Sequence, residues 1–221
     1  MEKQKPQNII LECVTGSKMY NLDTPESDED IKGIFINPTE DYLGLNKPRD
    51  VVNHTNPDWD YHEVGKFINE ALGMNPTYTE LLWAKSYRIL TPIGKKLVEN
   101  RHIFLSQLAR KTYYGYAKSQ LERNYRNASH IGEYRMGKHA RHIFRLLMQG
   151  KELLETGKLR VKCTQEERKY IFSFMEIDRN QLYEAFEKKK KEFDDIVSVL
   201  PEKPDYEKAN ELLIEIRKEF F

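Results

Sequence analysis

The segment of residues 15–36, TGSKMYNLDTPESDEDIKGIFI, constrains the fold and the chemistry of this chain more than any other stretch. It joins two short apolar runs that are rich in β-branched residues and bounded by turn residues, a pattern typical of strands. We expect these strands at residues 8–14 and 28–36. Because side chains two apart on a strand point to the same side, Asp28 and Asp30 would direct both carboxylates at one spot.

Two carboxylates and a small-residue turn indicate a chemistry for this segment. Adjacent carboxylates repel each other unless a cation lies between them, and oxygen ligands of this type suit Mg²⁺ or Mn²⁺. Gly16 and Ser17 follow the first predicted strand, where a turn presents backbone N–H groups and a hydroxyl to an anion. A phosphate-binding turn that faces a two-carboxylate metal site is typical of phosphoryl or nucleotidyl transfer. The alternative is an ordinary turn followed by a solvated strand end.

Composition limits the class of protein. At 221 residues the chain can bury a sizeable core in one or two domains. No apolar run approaches the roughly 20 residues that a membrane-spanning helix needs, and the N-terminal segment lacks the features of a signal peptide. Two cysteines are too few for a disulfide scaffold, which favours a cytoplasmic protein. The lack of a long apolar run predicts no membrane partner. The net charge of +1 provides no global argument for nucleic-acid binding.

The next part of the chain offers two candidates for a third carboxylate. The sequence predicts a long loop over residues 39–57, a third strand over residues 58–62 and a helix over residues 63–72. Asp58 and Asp60 share one face of that third strand, so periodicity does not choose between them. Either residue would also serve to cap the following helix.

The remainder of the chain is predicted to be helical. Asn75 and Pro76 are expected to begin a short helix as its N-cap and first helical residue. Further helices are expected near residues 95–100, 102–125, 135–155, 164–191 and 204–219. The sequence therefore predicts an α+β fold, in which a domain of residues 1–92 contains a short mixed sheet with helices. An all-helical domain of residues 93–221 follows it.

One of these helices carries a basic face. Lys138, His142 and Arg145 stand at positions i, i+4 and i+7, so cationic and proton-transferring groups share one side. His139 lies beside them. Such a face suits the phosphates of a nucleotide. The alternatives are an ordinary exposed stripe of charges, or a metal site formed by His139 and His142.

Several separated motifs resemble one known family. They are GSKMYNLDTPESDEDIKGIF, Asn75-Pro76 with Glu80-Leu81-Leu82, Phe104-Leu105-Ser106, Gly115-Tyr116-Ala117 with Gln120, Lys138-His139-x-x-His142-x-x-Arg145-Leu146-Leu147, and Glu152-Leu153-Leu154-Glu155-Thr156-Gly157. In this order, over residues 8–165, they are similar to the RlaP-like family of predicted bacterial and phage nucleotidyltransferases in the DNA polymerase beta superfamily. The resemblance implies a polymerase-beta-type catalytic domain and a helical domain that closes over the nucleotide.

The resemblance also implies roles for individual residues. Gly16 and Ser17 would hold the triphosphate of an NTP such as ATP. The implied metal ligands and catalytic acids are Asp28, Asp30 and Asp58, with Asp60 as a substitute for Asp58. The implied nucleotide-binding residues of the helical motif are Lys138, His139, His142 and Arg145. Asn21 stands where the family usually has glycine, and asparagine is the next-best residue for a positive φ.

The leading hypothesis is an enzyme, a metal-dependent nucleotidyltransferase. It would move an NMP from an NTP to an unidentified hydroxyl acceptor on a protein, an RNA or a small molecule, and release pyrophosphate. A catalytically inactive nucleotide-binding module is the first alternative, because it would keep Gly16, Ser17 and the basic helix but lack a competent third acid.

The second alternative is a nucleotidyltransferase that modifies nucleic-acid ends, which needs a basic and aromatic track. The candidates for that track are Arg101, Arg110, Lys111, Tyr113, Tyr114, Tyr116, Lys118, Arg123 and Arg126. A solvated helix with tyrosines in the core explains the same residues. Apolar stripes in the C-terminal helices, within residues 164–221, would complete the fold or form a homodimer face.

Overall fold

The computed structural model describes residues 4–45, 47–126, 133–175 and 178–221 and confirms a mixed α+β fold. The strands are β1 (Ile9–Val14), β2 (Ile31–Phe35), β3 (Val51–Thr55), β4 (Asp58–Glu63) and β5 (Ile89–Leu90). They form one sheet in the order β3-β4-β2-β1-β5. The β2–β4 pair is parallel, and the other neighbouring pairs are antiparallel.

Helices make up most of the remaining regular structure. They are α1 (Gly16–Tyr20), α2 (Val64–Leu72), α3 (Pro76–Thr79), α4 (Pro92–Glu99), α5 (Leu108–Arg126), α6 (Glu133–Thr156), α7 (Gln165–Ser173), α8 (Arg179–Asp194) and α9 (Tyr206–Lys218). Short 3₁₀ helices cover Thr39–Tyr42, Glu80–Trp83 and Arg101–Phe104. As predicted, Asn75 caps α3 by accepting from Thr77 N–H at 3.1 Å. Within the described residues, no helix is both long and apolar enough to cross a membrane.

The chain folds into two compact units. Met1–Leu105 and Pro204–Phe221 form the first, which we call the sheet unit, and Ser106–Lys203 forms the second, the helical unit. The C-terminal α9 therefore belongs to the sheet unit, where Arg217 donates to the buried carboxylate of Glu63 at 2.8 Å. In this unit α9 packs onto α2 and contributes to the same apolar cluster, whereas the sequence-based boundary at residue 92 puts it in the second domain.

The two faces of the sheet support two apolar clusters. On one face, Ile34 is buried in a large cluster with residues of α2, α4 and α9. Leu212 and Ile216 of α9 are buried in this cluster, so that apolar stripe completes the fold. On the other face, Phe35 packs in a smaller cluster with Trp59 and Tyr61. Alternation along β2 and β4 explains the separation, since neighbouring residues of a strand point to opposite faces.

A buried polar pair lies on the face of the smaller cluster. The Tyr61 hydroxyl donates to Glu12, and both side chains are buried. To reach Glu12, the tyrosine ring crosses Gly33 on the strand between them, where a Cβ would lie 2.5 Å from the ring. Lys5 also donates to Glu12, at 3.0 Å. Glycine at position 33 therefore makes room for the ring that satisfies a buried carboxylate.

Arginine side chains connect helices within the helical unit. Arg160 follows α6 and donates to Glu152 of α6 and Glu167 of α7, with both closest distances at 2.6 Å. Arg110 of α5 donates to the carbonyl oxygens of Phe193 at 2.7 Å and Asp194 at 3.2 Å, which end α8. The Arg110 contacts satisfy carbonyl groups that the end of α8 would otherwise leave open.

The start of β2 corrects one sequence-based boundary. The strand was predicted over residues 28–36, but it begins at Ile31, so Asp28 and Asp30 lie in the segment directly before it. The later start follows from the pairing of the two strands, because β1 ends at Val14 and Val14 lies opposite Ile31.

Three further predictions of secondary structure were wrong. The predicted loop of residues 39–57 contains the edge strand β3, whose short sequence lies between two prolines. The predicted helix of residues 102–125 begins only at Leu108, after a 3₁₀ turn and the extended residue Leu105. The predicted helix of residues 164–191 is two helices, because Asp178 and Gln181 form a capping box that starts α8.

Candidate active site

The segment that carries the predicted phosphate turn and acids folds so that its two ends meet. Gly16 begins α1 directly after β1 and has a φ of 63°. Asp30 lies directly before β2, the neighbour of β1, and Thr15 N–H donates to Asp30 O at 2.8 Å. A Cβ placed on Gly16 would be 2.0 Å from Asp30 Oδ2, so this carboxylate lies against the glycine. The structure thus brings Gly16 and Asp30 into contact.

The turn after β1 is held by its own backbone and by one buried hydrogen bond. Asn21 ends α1 with a φ of 62°, as expected for asparagine in a position that favours glycine. Leu22 N–H donates to the carbonyl oxygen of the half-buried Ser17 at 2.9 Å. The Tyr20 hydroxyl donates to Glu80 Oε2 at 2.6 Å, and Glu80 is buried. These bonds fix the turn that presents Gly16 and Ser17.

Sequence reasoning gave no role to the pair of Tyr20 and Glu80. Glu80 was part of the family motif, but its distance from the acidic segment in the sequence concealed the contact. A usable signal was its place directly before the apolar run Leu81-Leu82-Trp83, since a carboxylate there must be buried and therefore needs a donor.

The register of β2 and β4 bears on the positions of two acids. Lys32 lies opposite Asp60 in this parallel pair, and the pairing begins with Ile31 opposite Trp59. Asp30 directly precedes Ile31 and Asp58 directly precedes Trp59, so the register continued by one residue would set these two acids opposite each other. Asp58 is exposed, and its side chain makes no hydrogen bond or ion pair with another described residue.

Asp60 has a different environment although it lies on the same face. Its Oδ2 accepts from Lys32 Nζ at 2.9 Å and lies 3.0 Å from His62 Nε2. Burial acts to raise the pKa of Asp60, but the hydrogen bond with His62 and the charge of Lys32 outweigh it and lower the pKa to about 2. Asp60 Oδ1 and His62 Nδ1 are buried without a hydrogen-bond partner among the described residues.

Asp28 completes the set of predicted metal ligands. It is exposed two residues before Asp30, and its side chain has no partner among the described residues. Glu29, between the two, forms an ion pair with Arg88 instead. The sequence did not indicate this ion pair or that of Lys32 and Asp60, in both of which a residue of the segment 15–36 takes part.

Three carboxylates at adjacent strand starts fit a divalent cation in their chemistry, because carboxylate oxygens are the donors that Mg²⁺ and Mn²⁺ prefer. Asp30 and Asp58 directly precede Ile31 and Trp59, which are paired in the β2–β4 register, and Asp28 is two residues from Asp30. Among the described residues, no three His, Cys, Asp or Glu side chains are close enough together to hold an ion as they stand. A bound ion would therefore have to draw these carboxylates together.

The predicted nucleotide-binding residues of α6 belong to the helical unit. Arg145 is 5% exposed, and its Nη1 donates to Gln149 at 2.7 Å. His139 Nδ1 lies 2.7 Å from Gln120 Oε1, and His142 is half-buried. The Lys138 side chain lies outside the described residues. The burial of Arg145 was not evident from the i, i+4, i+7 spacing.

The predicted basic and aromatic track combines side chains with internal contacts and exposed ones such as Lys111 and Tyr116. Tyr113 is fully buried, and Tyr114 stacks on Phe186 with ring centroids 6.0 Å apart. Arg101 donates to a backbone carbonyl at 2.9 Å, and Arg110 caps α8. These contacts favour the interpretation as a helix with tyrosines in the core.

Comparison with protein families gave a match that covers most of the chain. The profile described as RlaP, the RNA repair pathway DNA polymerase beta family, matches residues 1–170. The match covers the sheet, the acidic segment and the helical motif of α6. Comparison with curated proteins gave no match.

Proposed function

Because the chain belongs to the RlaP family of RNA repair pathway DNA polymerase beta proteins, we propose that it is a nucleotidyltransferase that moves an NMP from an NTP to a hydroxyl acceptor and releases pyrophosphate. The observation that carries the proposal is the contact of the Asp30 carboxylate with Gly16. This reaction requires the acidic side chain to lie next to the phosphate-binding turn, since the triphosphate and the metal that neutralises its charge share one site.

In the proposed site, the turn after β1 and the acidic side chains have separate roles. The turn at Gly16 and Ser17 binds the β and γ phosphates through N–H groups and the serine hydroxyl. Asp28, Asp30 and Asp58 would hold Mg²⁺ or Mn²⁺, since polymerase-beta-type nucleotidyltransferases generally use divalent metals. When bound, the metal would supply charge neutralisation at the phosphates and acidify the acceptor hydroxyl.

We assign the third acid to Asp58 and not to Asp60. Asp58 is exposed at the start of β4, and its carboxylate has no partner among the described residues. Asp60 shares its Oδ2 between Lys32 and His62. In this assignment Asp58 accepts the proton of the acceptor hydroxyl, since a base must lie within hydrogen-bond reach of the group it deprotonates.

The residues of α6 remain proposed nucleotide ligands. Lys138, His139 and His142 would contact phosphate oxygens as hydrogen-bond donors. Arg145 would act more indirectly, because its guanidinium is buried and one of its nitrogens already donates to Gln149. Arg145 would then order the helix that presents the other three.

The family description favours one class of acceptor. A family of an RNA repair pathway makes an RNA hydroxyl the first acceptor to test, which corresponds to the end-modifying alternative. Such an acceptor would approach the proposed base at Asp58 on the exposed side of the strand start. A catalytically inactive nucleotide-binding module stays the second candidate, because no three described acids converge as they stand.

Pyrophosphate release tests the function. Wild type is incubated with each of the four NTPs, Mg²⁺ and a short RNA with a free 3′-hydroxyl, and compared with Asp28→Asn, Asp30→Asn. We expect release from wild type only, because the double variant keeps the shape of both side chains but loses their charge. Glu99→Gln is the matched control, since it removes one carboxylate from an exposed pair with Lys95.

The outcomes separate the candidates. Release that depends on both acids and adds a nucleotide to the RNA supports the proposal with its RNA acceptor. Release without RNA extension supports the nucleotidyltransferase and excludes this acceptor. NTP binding without release, in all four cases, contradicts the proposal and favours the inactive module.

A further inference from the structure

We propose that a cavity in the helical unit binds one nucleotide of single-stranded RNA, with the base against an aromatic and apolar wall and the phosphates on two lysines. This inference rests on the proposed function in its choice of RNA as the ligand. The cavity has a volume of about 390 Å³, within the range of ligand sites in proteins. It lies where the start of α5, the end of α8 and residues 202–203 meet, all within one unit.

Hydrogen bonds fix the walls of this cavity. Arg110 of α5 donates to the carbonyl oxygen of Phe193 at 2.7 Å, which ties the start of α5 to the end of α8. Gln107 Nε2 donates to Leu200 O at 3.0 Å, and Gln107 N–H donates to Pro201 O at 2.9 Å. Because these bonds join the three segments that line it, the cavity is formed before a ligand arrives, and this lowers the entropic cost of binding.

One wall of the cavity suits the flat face of a base. Tyr114 lines the cavity and is half-buried, with its ring stacked on Phe186 at a centroid distance of 6.0 Å. Leu108 also lines the cavity and is 39% exposed. Aromatic rings of this kind are the surfaces on which the bases of single-stranded RNA stack. Since Phe186 supports the ring, little freedom is lost when a base packs on it.

Two lysines supply charge for the phosphates. Lys111 and Lys203 line the cavity and are exposed, and their side chains make no hydrogen bond or ion pair with another described residue. One belongs to α5 and the other to the segment after α8, so each of two segments borders the cavity with a lysine. Ammonium groups without a protein partner are available to backbone phosphates as point charges.

Two acids of the lining narrow the choice of ligand. Asp194 lies 3.5 Å from the Lys190 ammonium, which offsets its charge and is itself 5.9 Å from the centroid of the Tyr114 ring. Glu202 is exposed and has no side-chain partner in the described part of the chain. A carboxylate repels phosphate but accepts a hydrogen bond from the amino group of a base. A nucleotide offers both groups, whereas an acidic peptide offers only negative charge.

The proposed site differs from the basic and aromatic track that the sequence offered along α5. That track included Tyr113, which is fully buried. Three of its members, Arg110, Lys111 and Tyr114, line the cavity, and Lys203 was not part of it. The proposed site therefore takes one nucleotide at the start of α5 and does not need a continuous track.

RNA binding without NTP or metal tests the inference. The affinity of a short cytosine-rich single-stranded RNA is measured by fluorescence anisotropy over a range of salt concentrations. Each phosphate contact of a single strand contributes about 0.7 to the slope of log affinity against log salt. Combining Lys111→Gln with Lys203→Gln should therefore reduce the magnitude of this slope by about 1.4 and weaken binding about 25-fold at about 0.1 M salt.

A matched control removes the same charge elsewhere in the helical unit. Lys158 and Lys162 are exposed, have no side-chain partner among the described residues and do not line the cavity. Lys158→Gln with Lys162→Gln should leave the slope unchanged. Tyr114→Leu should weaken binding about tenfold with little change of slope, since stacking is not an ionic contact. If Tyr114→Leu does not fold, which a thermal melt detects, the exposed lysines still decide the question.

The base tests the role of Glu202. Cytosine and uracil have similar rings, but of the two only cytosine carries an amino group that a carboxylate can accept from. Wild type should bind the cytosine-rich RNA about fivefold more tightly than a uracil-rich RNA of the same length, the effect of one hydrogen bond. Glu202→Ala should remove this difference. Equal binding of the two RNAs by wild type would overturn the assignment of Glu202.

Four results would overturn the site itself. They are an unchanged slope for the variant of Lys111 and Lys203, no RNA binding by wild type, binding of CMP as tight as that of the RNA, and equally strong competition by poly-glutamate. The third would indicate a site for free nucleotides, and the fourth a general anion site. All four leave the proposed nucleotidyl transfer standing, because pyrophosphate release tests it separately. RNA binding without any pyrophosphate release would instead contradict the proposed function and keep this site.

Discussion

The helical unit and the strand starts of the sheet unit use their charges in opposite ways. In the helical unit, Arg160 pairs with two glutamates, and Arg110 donates to the last carbonyl groups of α8. At the strand starts, Asp28 and Asp58 have no side-chain partner among the described residues.

The difference shows where charge serves the fold and where it is available for chemistry. Asp60 and Asp58 illustrate both uses of charge within one strand. Asp60 is paired with Lys32 and His62, whereas Asp58, two residues earlier, is exposed and has no partner among the described residues. We therefore expect substitutions at the strand starts to change activity more than stability, and those in the paired networks to do the reverse.

Gly16→Ala should produce the largest change in activity. A methyl group would collide with Asp30 Oδ2, and φ at this position is 63°, a region that favours glycine. We expect NTP turnover to fall at least about 100-fold, since small displacements of reacting groups have effects of that size. The free energy of unfolding should fall by only about 1–2 kcal/mol.

Steady-state kinetics and urea unfolding of the same samples check this prediction. Gly115→Ala is the control, because a Cβ there meets nothing within 4 Å and the residue lies inside α5. It should keep full turnover and add about 1 kcal/mol of stability. Normal turnover of Gly16→Ala would contradict the close contact of turn and acid.

Tyr61→Phe should have the largest effect on stability among the conservative changes. It removes the donor to Glu12, which is buried, and we expect the free energy of unfolding to fall by about 2 kcal/mol. Burial acts to raise the pKa of Glu12, but hydrogen bonds from Tyr61 and Lys5 outweigh it and leave the pKa below its usual value.

The pH dependence of this loss has a definite sign. A carboxyl whose pKa is lowered by folding contributes stability above its unfolded pKa of 4.5, and loses it as the pH falls through the folded value. The gap between wild type and Tyr61→Phe should therefore be largest above pH 4.5 and shrink below it. Tyr206→Phe, at an exposed tyrosine, should change stability by less than about 0.5 kcal/mol at any pH.

Arg160→Met should reduce stability by a smaller amount, about 1 kcal/mol, because the arginine is one-third exposed and solvent screens its two ion pairs. The hydrogen bonds from Arg160 lower the pKa of Glu167, so the loss should be present above the unfolded pKa of 4.5 and fade below it. Thermal unfolding at low and high salt checks this, and a salt-independent loss would mean that packing and not charge is involved.

Sequence patterns predicted the parts of the fold that depend on local signals. Both central strands, the helix at residues 64–72 and the cap at Asn75 follow from apolar runs and turn chemistry. Gly33 shows what those signals omit. The residue is needed because Tyr61 crosses it from another strand, a relation that only strand order and register reveal.

In the candidate site, too, the sequence predicted the local motif but not the contacts between strands. The pairing of a phosphate turn with acids is a local motif of residues 15–36, and the structure brings Gly16 and Asp30 together. The two-residue periodicity of a strand did not distinguish Asp58 from Asp60, because both lie on the same face of β4. The partners Lys32 and His62 distinguish them, and one of these comes from a parallel strand that lies 28 residues away in the sequence.

The smallest expected difference between the two units is in the reactivity of their cysteines, of which each unit contains one. Cys13 and Cys163 are both buried, and burial raises the pKa of the Cys13 thiol to about 12. Because the thiolate is the reactive form, folded protein at pH 8 should show almost no reaction with Ellman's reagent, whereas unfolded protein should release two equivalents. Equal protection of both thiols would show that the reagent enters neither interior. The difference between the units would then concern only the exposed, unpaired carboxylates Asp28 and Asp58 at the strand starts. Rapid reaction of Cys13 alone would instead mean that the sheet opens near Asp30 and that the sheet unit is less rigid than the helical unit.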